Sequence, residues 1–170
     1  MLITEEYRKE QQALHAVGNY GTAALQFGDI VSSLLDALEC QTILDYGCGS
    51  KRSLLKVLEV DHDVRYQGYD PAVPGAGKKE PADLVTCIDV LEHIEPDLLG
   101  NVLDDLQSLS PKWAFLTIHT GPAAKVLSDG RNAHLIQEPP AWWLPKLLAR
   151  WDMHRFTAHG PGFYVLLRAK

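Results

Sequence analysis

The segment Ile43-Leu44-Asp45-Tyr46-Gly47-Cys48-Gly49 carries the first chemical signal in the chain. Two glycines one residue apart, at the end of an apolar run, permit a tight turn and let a ligand approach the backbone closely. Many α/β proteins have such a turn, so its neighbours decide what it holds. The pattern is Asp-x-Gly-x-Gly, and position 52 is Arg where a dinucleotide fingerprint would place its last glycine. A pyrophosphate prefers an uncluttered helix N-terminus, and the Asp45 carboxylate would repel it. The same carboxylate attracts an ammonium group. Tyr69-Asp70 ends the next apolar run, about 20 residues beyond the loop, where an acid accepts hydrogen bonds from both ribose hydroxyls. Ribose acceptors, no phosphate cradle and an acid for an amine describe a nucleoside with an amino-acid tail better than a dinucleotide.

These residues need a scaffold, and the chain supplies one. Its 170 residues, 46% hydrophobic and 22% charged, suit one domain long enough to bury a core. Residues 1–40 read as two helices, the first capped by Thr4 and ending near His15, the second starting near Ala23 with Phe27, Val31, Leu34, Leu35 and Leu38 on one face. Short apolar runs then alternate with helical patterns: a strand at 42–46, a helix at 50–59, strands at 64–69 and 84–88, a helix at 96–109 and a strand at 114–119. A helix at 141–150 and two strands at 153–158 and 163–168, joined by His159-Gly160-Pro161-Gly162, close the chain. The alternation predicts a doubly wound, Rossmann-like α/β domain whose mostly parallel sheet ends in an antiparallel hairpin. Such sheets bind ligands beyond the carboxyl ends of their strands. Within a single domain over 1–170, residues 41–120 form the half that holds a cofactor, and 121–170 the acceptor side.

Composition narrows the partners. A net charge of −6 opposes binding to a nucleic-acid polymer, which relies on clustered Lys and Arg. No apolar run approaches the roughly 20 residues a membrane span needs, and Met1–Glu6 lacks the order of a signal peptide. Cys40, Cys48 and Cys87 cannot all pair within one chain and show no CxxC spacing, so a cytoplasmic, reducing setting is expected.

Three segments resemble motifs of the class I S-adenosylmethionine-dependent methyltransferases: Asp45–Gly49, Gly68-Tyr69-Asp70-Pro71, and Asp83–Ile94 with its Asp89-Val90-Leu91-Glu92-His93. The resemblance covers residues 40–120, and the closing helix and hairpin in topology only. It implies S-adenosylmethionine as cofactor, with Asp45 beside the methionine amino group, the backbone of Gly47, Cys48 and Gly49 against the methionine part, and Asp70 on the ribose. It places Asp89 at the methionine and sulfonium end, and Tyr20 and Gly21 in a segment closing over the cofactor. Two departures stand out. Ser50-Lys51-Arg52 follows the loop where the family often has another small residue. Residues 71–82 are too few for the usual helix and edge strand, since a parallel crossover takes about a dozen residues or more besides its strand. The usual third strand is therefore expected to be missing from a six-stranded sheet. Adenine is then left to apolar and backbone contacts from Pro71–Val73 and Ala82–Cys87, Cys87 included.

Methyl transfer from a sulfonium is an in-line displacement, and a hydroxyl acceptor must also lose a proton. His119, ending a strand, is the candidate base, and His134 a second base or an orienter. The loop from Thr120 to Glu138 leaves the carboxyl edge of the sheet and carries Lys125 and Arg131, candidate anchors for a negatively charged acceptor. In Trp142-Trp143, Trp142 is the candidate stacking surface, while one of the two belongs to the core because adjacent helical positions diverge by about 100°. His93 serves better as a buttress than as a reactant. Cys48 and Cys87 read as small packing residues. His119 and His134 with Asp89 or Asp129 form a facial donor set in principle, yet none sits at close helical spacing, and Glu92-His93 lacks the second His of a zinc-protease signature. No metal is expected.

The reading is a methyltransferase acting on a small-molecule acceptor, with an oxygen nucleophile such as a sugar or nucleotide, as a monomer or homodimer. One rival is a module or partner subunit that binds S-adenosylmethionine without turnover. The other is a nucleotide-dependent oxidoreductase, against which the Asp45 loop speaks.

Overall fold

The computed structural model describes residues 1–16 and 21–170. Tyr20, named above as a cofactor contact, lies outside the described residues. Six strands form one sheet in the order β2-β1-β3-β4-β6-β5. The first four are parallel: β1 (Thr42–Tyr46), β2 (Arg65–Tyr69), β3 (Leu84–Ile88) and β4 (Trp113–His119). The last two, β5 (Trp151–His159) and β6 (Gly162–Ala169), form the antiparallel hairpin, and β6 pairs with β4. Strand order reverses between β1 and β3, and that is the place where a crevice opens in such sheets.

Period-two alternation sorts the core into two layers. Leu44 and Tyr46 of β1, Val85 and Cys87 of β3, and Ala114, Leu116 and Ile118 of β4 face α3 (Leu99–Leu109) and α4 (Pro140–Leu148). Ile43, Leu84, Ile88 and Phe115 face the other way, against Phe27, Val31 and Leu35 of α2 (Gly28–Ala37) and the short 3-10 turn before it. Wholly buried Trp143 is the core member of the tryptophan pair. No helix among the described residues is long and apolar enough to cross a membrane.

One expected element is replaced. The apolar residues of 50–59 predict a helix, but the chain runs through a series of turns there. Gly49 and Arg52 both take positive φ, +61° and +46°, which breaks a right-handed helix at its first turn. Two side chains nevertheless pin the segment: Leu54 is wholly buried, and the Ser53 hydroxyl donates to the Gly21 carbonyl at 2.7 Å. Residues 71–82 form a loop without a strand, as their number predicts. Lys79 folds back from it onto Asp105 of α3 and the Tyr69 ring.

The N-terminal helix α1 (Glu5–Ala16) lies against the acceptor loop rather than the sheet. Thr4 caps it through Oγ1, which accepts from the Tyr7 amide at 3.3 Å. The Tyr7 hydroxyl donates to the His93 carbonyl at 2.7 Å, Glu10 accepts from the amide and hydroxyl of Ser128, and Thr4 is bound by the Glu95 carboxylate.

Candidate active site

A cleft of about 480 Å³ opens beyond the carboxyl ends of β1, β3 and β4, with α1 as its outer wall. That volume lies within the range of small-molecule and cofactor sites.

The glycine loop and Asp70 form one end. Gly47 has φ +81°, and a Cβ there would stand 2.4 Å from the Val90 side chain, so the turn fits against the start of the next loop only without one. The Asp70 carboxylate accepts from the Gly49 amide at 3.1 Å and from the Ala72 amide at 2.9 Å, tying the two loops into one cradle. A carboxylate offers about four acceptor positions, and two amides leave others for hydroxyls in the cleft. His15 at the end of α1 approaches the same carboxylate to 3.7 Å. Asp45 is buried, and its carboxylate accepts from the Tyr66 hydroxyl at 2.8 Å and the Thr86 hydroxyl at 3.3 Å. Burial pushes its pKa up to about 6, the two hydroxyls pull against that, and the neighbouring Asp70 charge adds to it. Cys48 is buried with its thiol pushed up to about 12, chiefly by burial. A Cβ at Gly68 would come within 2.9 Å of its sulfur, so the cysteine packs where β2 has no side chain.

The other end is made of histidines. Asp89, in the left-handed region at φ +50°, accepts from the Thr117 hydroxyl and is held at the mouth of β3. His119 and His134 lie with ring centroids 4.8 Å apart, and His134 and His93 4.7 Å apart. The His134 ring donates from Nδ1 to the Gly121 carbonyl at 2.7 Å, and burial lowers its pKa, so it is neutral near pH 7. His93 is likewise neutral, its pKa lowered to about 4 by burial and by its histidine neighbours, while Nδ1 donates to the Ala133 carbonyl. His119 Nδ1 stands 3.1 Å from both the amide and the carbonyl of Gly121. Either neutral tautomer is satisfied there, and one of them leaves Nε2 with its lone pair.

Of the residues singled out by the sequence, Asp45, Gly47, Cys48, Gly49, Asp70, Pro71, Asp89, Gly21, His119, His134 and Lys125 all line this cleft. Three stand apart. Cys87 is wholly buried in the core layer under α3. Arg131 turns to Asp129, two residues away, on an exposed bend. The Trp142 ring packs against Trp143 with the Lys146 ammonium 3.5 Å from its centre. Ala72 lines the cleft beside Pro71, whereas residues 82–87 do not. Sequence reasoning missed the whole contribution of α1, whose Tyr7, Gln11 and His15 face the cleft, and it missed Glu92. Its carboxylate is wholly buried beside His93 and accepts from the His119 amide at 2.9 Å, and burial and the Asp89 charge push its pKa well up.

Residues 20–164 match a family model described as a methyltransferase domain. No curated protein sequence matches the chain. Among solved structures, an O-methyltransferase family protein from Burkholderia thailandensis superposes with a TM-score of 0.70 at 14% identity, over 99% of this chain and 63% of that one. The chain thus spans less than two thirds of that protein. The 1,6-didemethyltoxoflavin-N1-methyltransferase of the same organism, with its substrate and S-adenosylhomocysteine bound, gives 0.63 at 13% identity over 100% and 92% of the two chains. Magnesium protoporphyrin IX methyltransferase from Synechocystis PCC 6803, with S-adenosylmethionine bound, gives 0.58 at 18% over 98% and 90%. At these identities the likeness is one of fold.

Proposed function

Because the chain belongs to the class I S-adenosylmethionine-dependent methyltransferase family, we propose that its cleft holds S-adenosylmethionine and passes the methyl group to an oxygen of a small acceptor such as a sugar or nucleotide. The observation that carries this reading is the Asp70 carboxylate bound to the Gly49 amide. That bond ties Asp70 to the glycine turn with buried Asp45 nearby, which supports reading Asp70 as the ribose acceptor and the turn as the methionine side. Asp70 takes the ribose hydroxyls, ionised Asp45 attracts the amino group, and Pro71 and Ala72 supply apolar contact for adenine. Asp89 then marks where the sulfonium ends and the acceptor begins.

On the acceptor side the protein's task is alignment and proton removal. His119 takes the proton at Nε2 in the tautomer whose Nδ1–H donates to Gly121, and His134 orients it from 4.8 Å away. Lys125 anchors negative charge on the acceptor. Two solved relatives of the fold are named for methylation at oxygen and at nitrogen respectively, so the oxygen acceptor rests on the histidines and not on fold.

The test is transfer of labelled methyl from S-adenosylmethionine into a small-metabolite pool, with His119→Gln as the paired variant. Labelled product whose rate falls in His119→Gln by roughly 10²-fold or more, with cofactor affinity retained, supports the reading. Cofactor binding without any labelled product favours a binding module. Equal turnover in the variant removes His119 as base.

A further inference from the structure

At the floor of the acceptor end, one donor atom from each of Glu92, His93 and His134 lies within 4.8 Å of the others, the one such group of three among the described residues. The Glu92 side chain is wholly buried, and its Oε2 finds no hydrogen-bond partner among those residues. Its other oxygen is committed to the His119 amide. Leaving a buried carboxylate oxygen unsatisfied is costly, and protonating it does not help, because the added hydrogen then lacks an acceptor.

The two imidazoles are oriented in the way ligating histidines are. His93 and His134 each donate Nδ1–H to a backbone carbonyl, Ala133 at 2.8 Å and Gly121 at 2.7 Å. That fixes the tautomer and makes Nε2 the lone-pair nitrogen in both rings. Both carbonyls belong to the acceptor loop, so the loop's own backbone sets the ring orientations. One carboxylate oxygen of Glu92 and one ring nitrogen of each imidazole therefore lie together at this floor.

We propose that Glu92, His93 and His134 bind one divalent first-row transition cation at the acceptor end of the cleft. Two imidazoles and a carboxylate suit Mn²⁺, Fe²⁺, Co²⁺ or Zn²⁺ better than the all-oxygen preference of Mg²⁺. Donors about 2.1 Å from a tetrahedral ion stand about 3.4 Å apart, so the three side chains draw together on binding. Three protein donors leave positions open toward the cleft, and a hydroxyl held there loses its proton more readily. His119 remains outside the set and can receive that proton. The role assigned to the ion rests on the proposed oxygen acceptor; the binding itself does not.

The experiment titrates Co²⁺ alone into chelator-stripped, cofactor-free full-length protein by calorimetry, so its result does not depend on methyl transfer. One ion per chain is expected, with affinity falling at least about tenfold in Glu92→Gln and in His134→Gln and unchanged in His154→Gln. Should the first two variants fold poorly, the wild-type histidine ring resonances read the same site under Zn²⁺: those of His93 and His134 should move and that of His154 should not. Absence of saturable binding, binding undiminished in both variants, or ring shifts confined to other histidines would overturn the proposal.

Discussion

In the proposed reading, Asp45 is both a costly buried charge and the group that recognises the cofactor's amine. Its carboxylate is buried with a pKa near 6, raised mainly by desolvation, and a bound ammonium group favours the ionised form. The free protein must lose a proton to bind, so affinity for S-adenosylhomocysteine should hold above about pH 6 and fall about tenfold per unit below it. Titration calorimetry at pH 5 and 7.5 reads this difference, and Asp45→Asn should flatten it. A profile that stays steep in the variant would move the titrating group elsewhere. Asp70→Ala should weaken the same ligand by roughly 1–3 kcal/mol through lost charge-assisted hydrogen bonds, and an unchanged affinity would remove Asp70 from the site. Both aspartates were legible in the sequence because loop spacing and strand ends fix where such side chains emerge. Arg131 and Trp142 were legible in type only: a near neighbour, Asp129 or Lys146, claims each of them, and composition says nothing about which way a side chain turns.

At the scale of elements, strands were the readable part. β1 and β3 fall where continuous apolar runs bounded by turn residues place them. The turns at 50–57 defeat the same reasoning, since Leu54, Leu55 and Leu58 have helical spacing, but the left-handed Arg52 cannot be seen in a pattern. α1 was read correctly as a helix, with no hint of where it packs, because its partners Glu95 and Ser128 are remote in the chain. His119 and His134 were legible as neighbours in the cleft, whereas the buried Glu92 beside His93 was hidden for the same reason. Packing of the glycine turn yields its own expectation. Gly47→Ala should lose roughly 1–3 kcal/mol of stability, from positive φ and from collision with Val90. In chemical denaturation, Val90→Ala in the same chain should restore the steric part and leave the backbone part. Full recovery would show that φ strain is negligible there, and no recovery would show that Val90 is not the obstacle.

For the whole molecule, the cleft lies between the sheet edge, the acceptor loop and α1, so a ligand that fills it bridges three parts of the fold. Binding to the folded state alone raises the melting temperature by mass action, and each kcal/mol moves it by roughly 2–4 °C in a domain of this size. S-adenosylhomocysteine should give that shift and a nicotinamide dinucleotide should not, because Asp45 repels a pyrophosphate. The reverse order of shifts would favour an oxidoreductase. The central claim is that Asp70 and Asp45 were placed for a ribose and an amino group. A crystal structure of the protein grown with S-adenosylhomocysteine tests it most directly. The account predicts both ribose hydroxyls within hydrogen-bond distance of the Asp70 carboxylate and the amino group at the Asp45 end of the cleft. A nucleoside bound elsewhere, or both aspartates facing solvent beside an empty cleft, would contradict it.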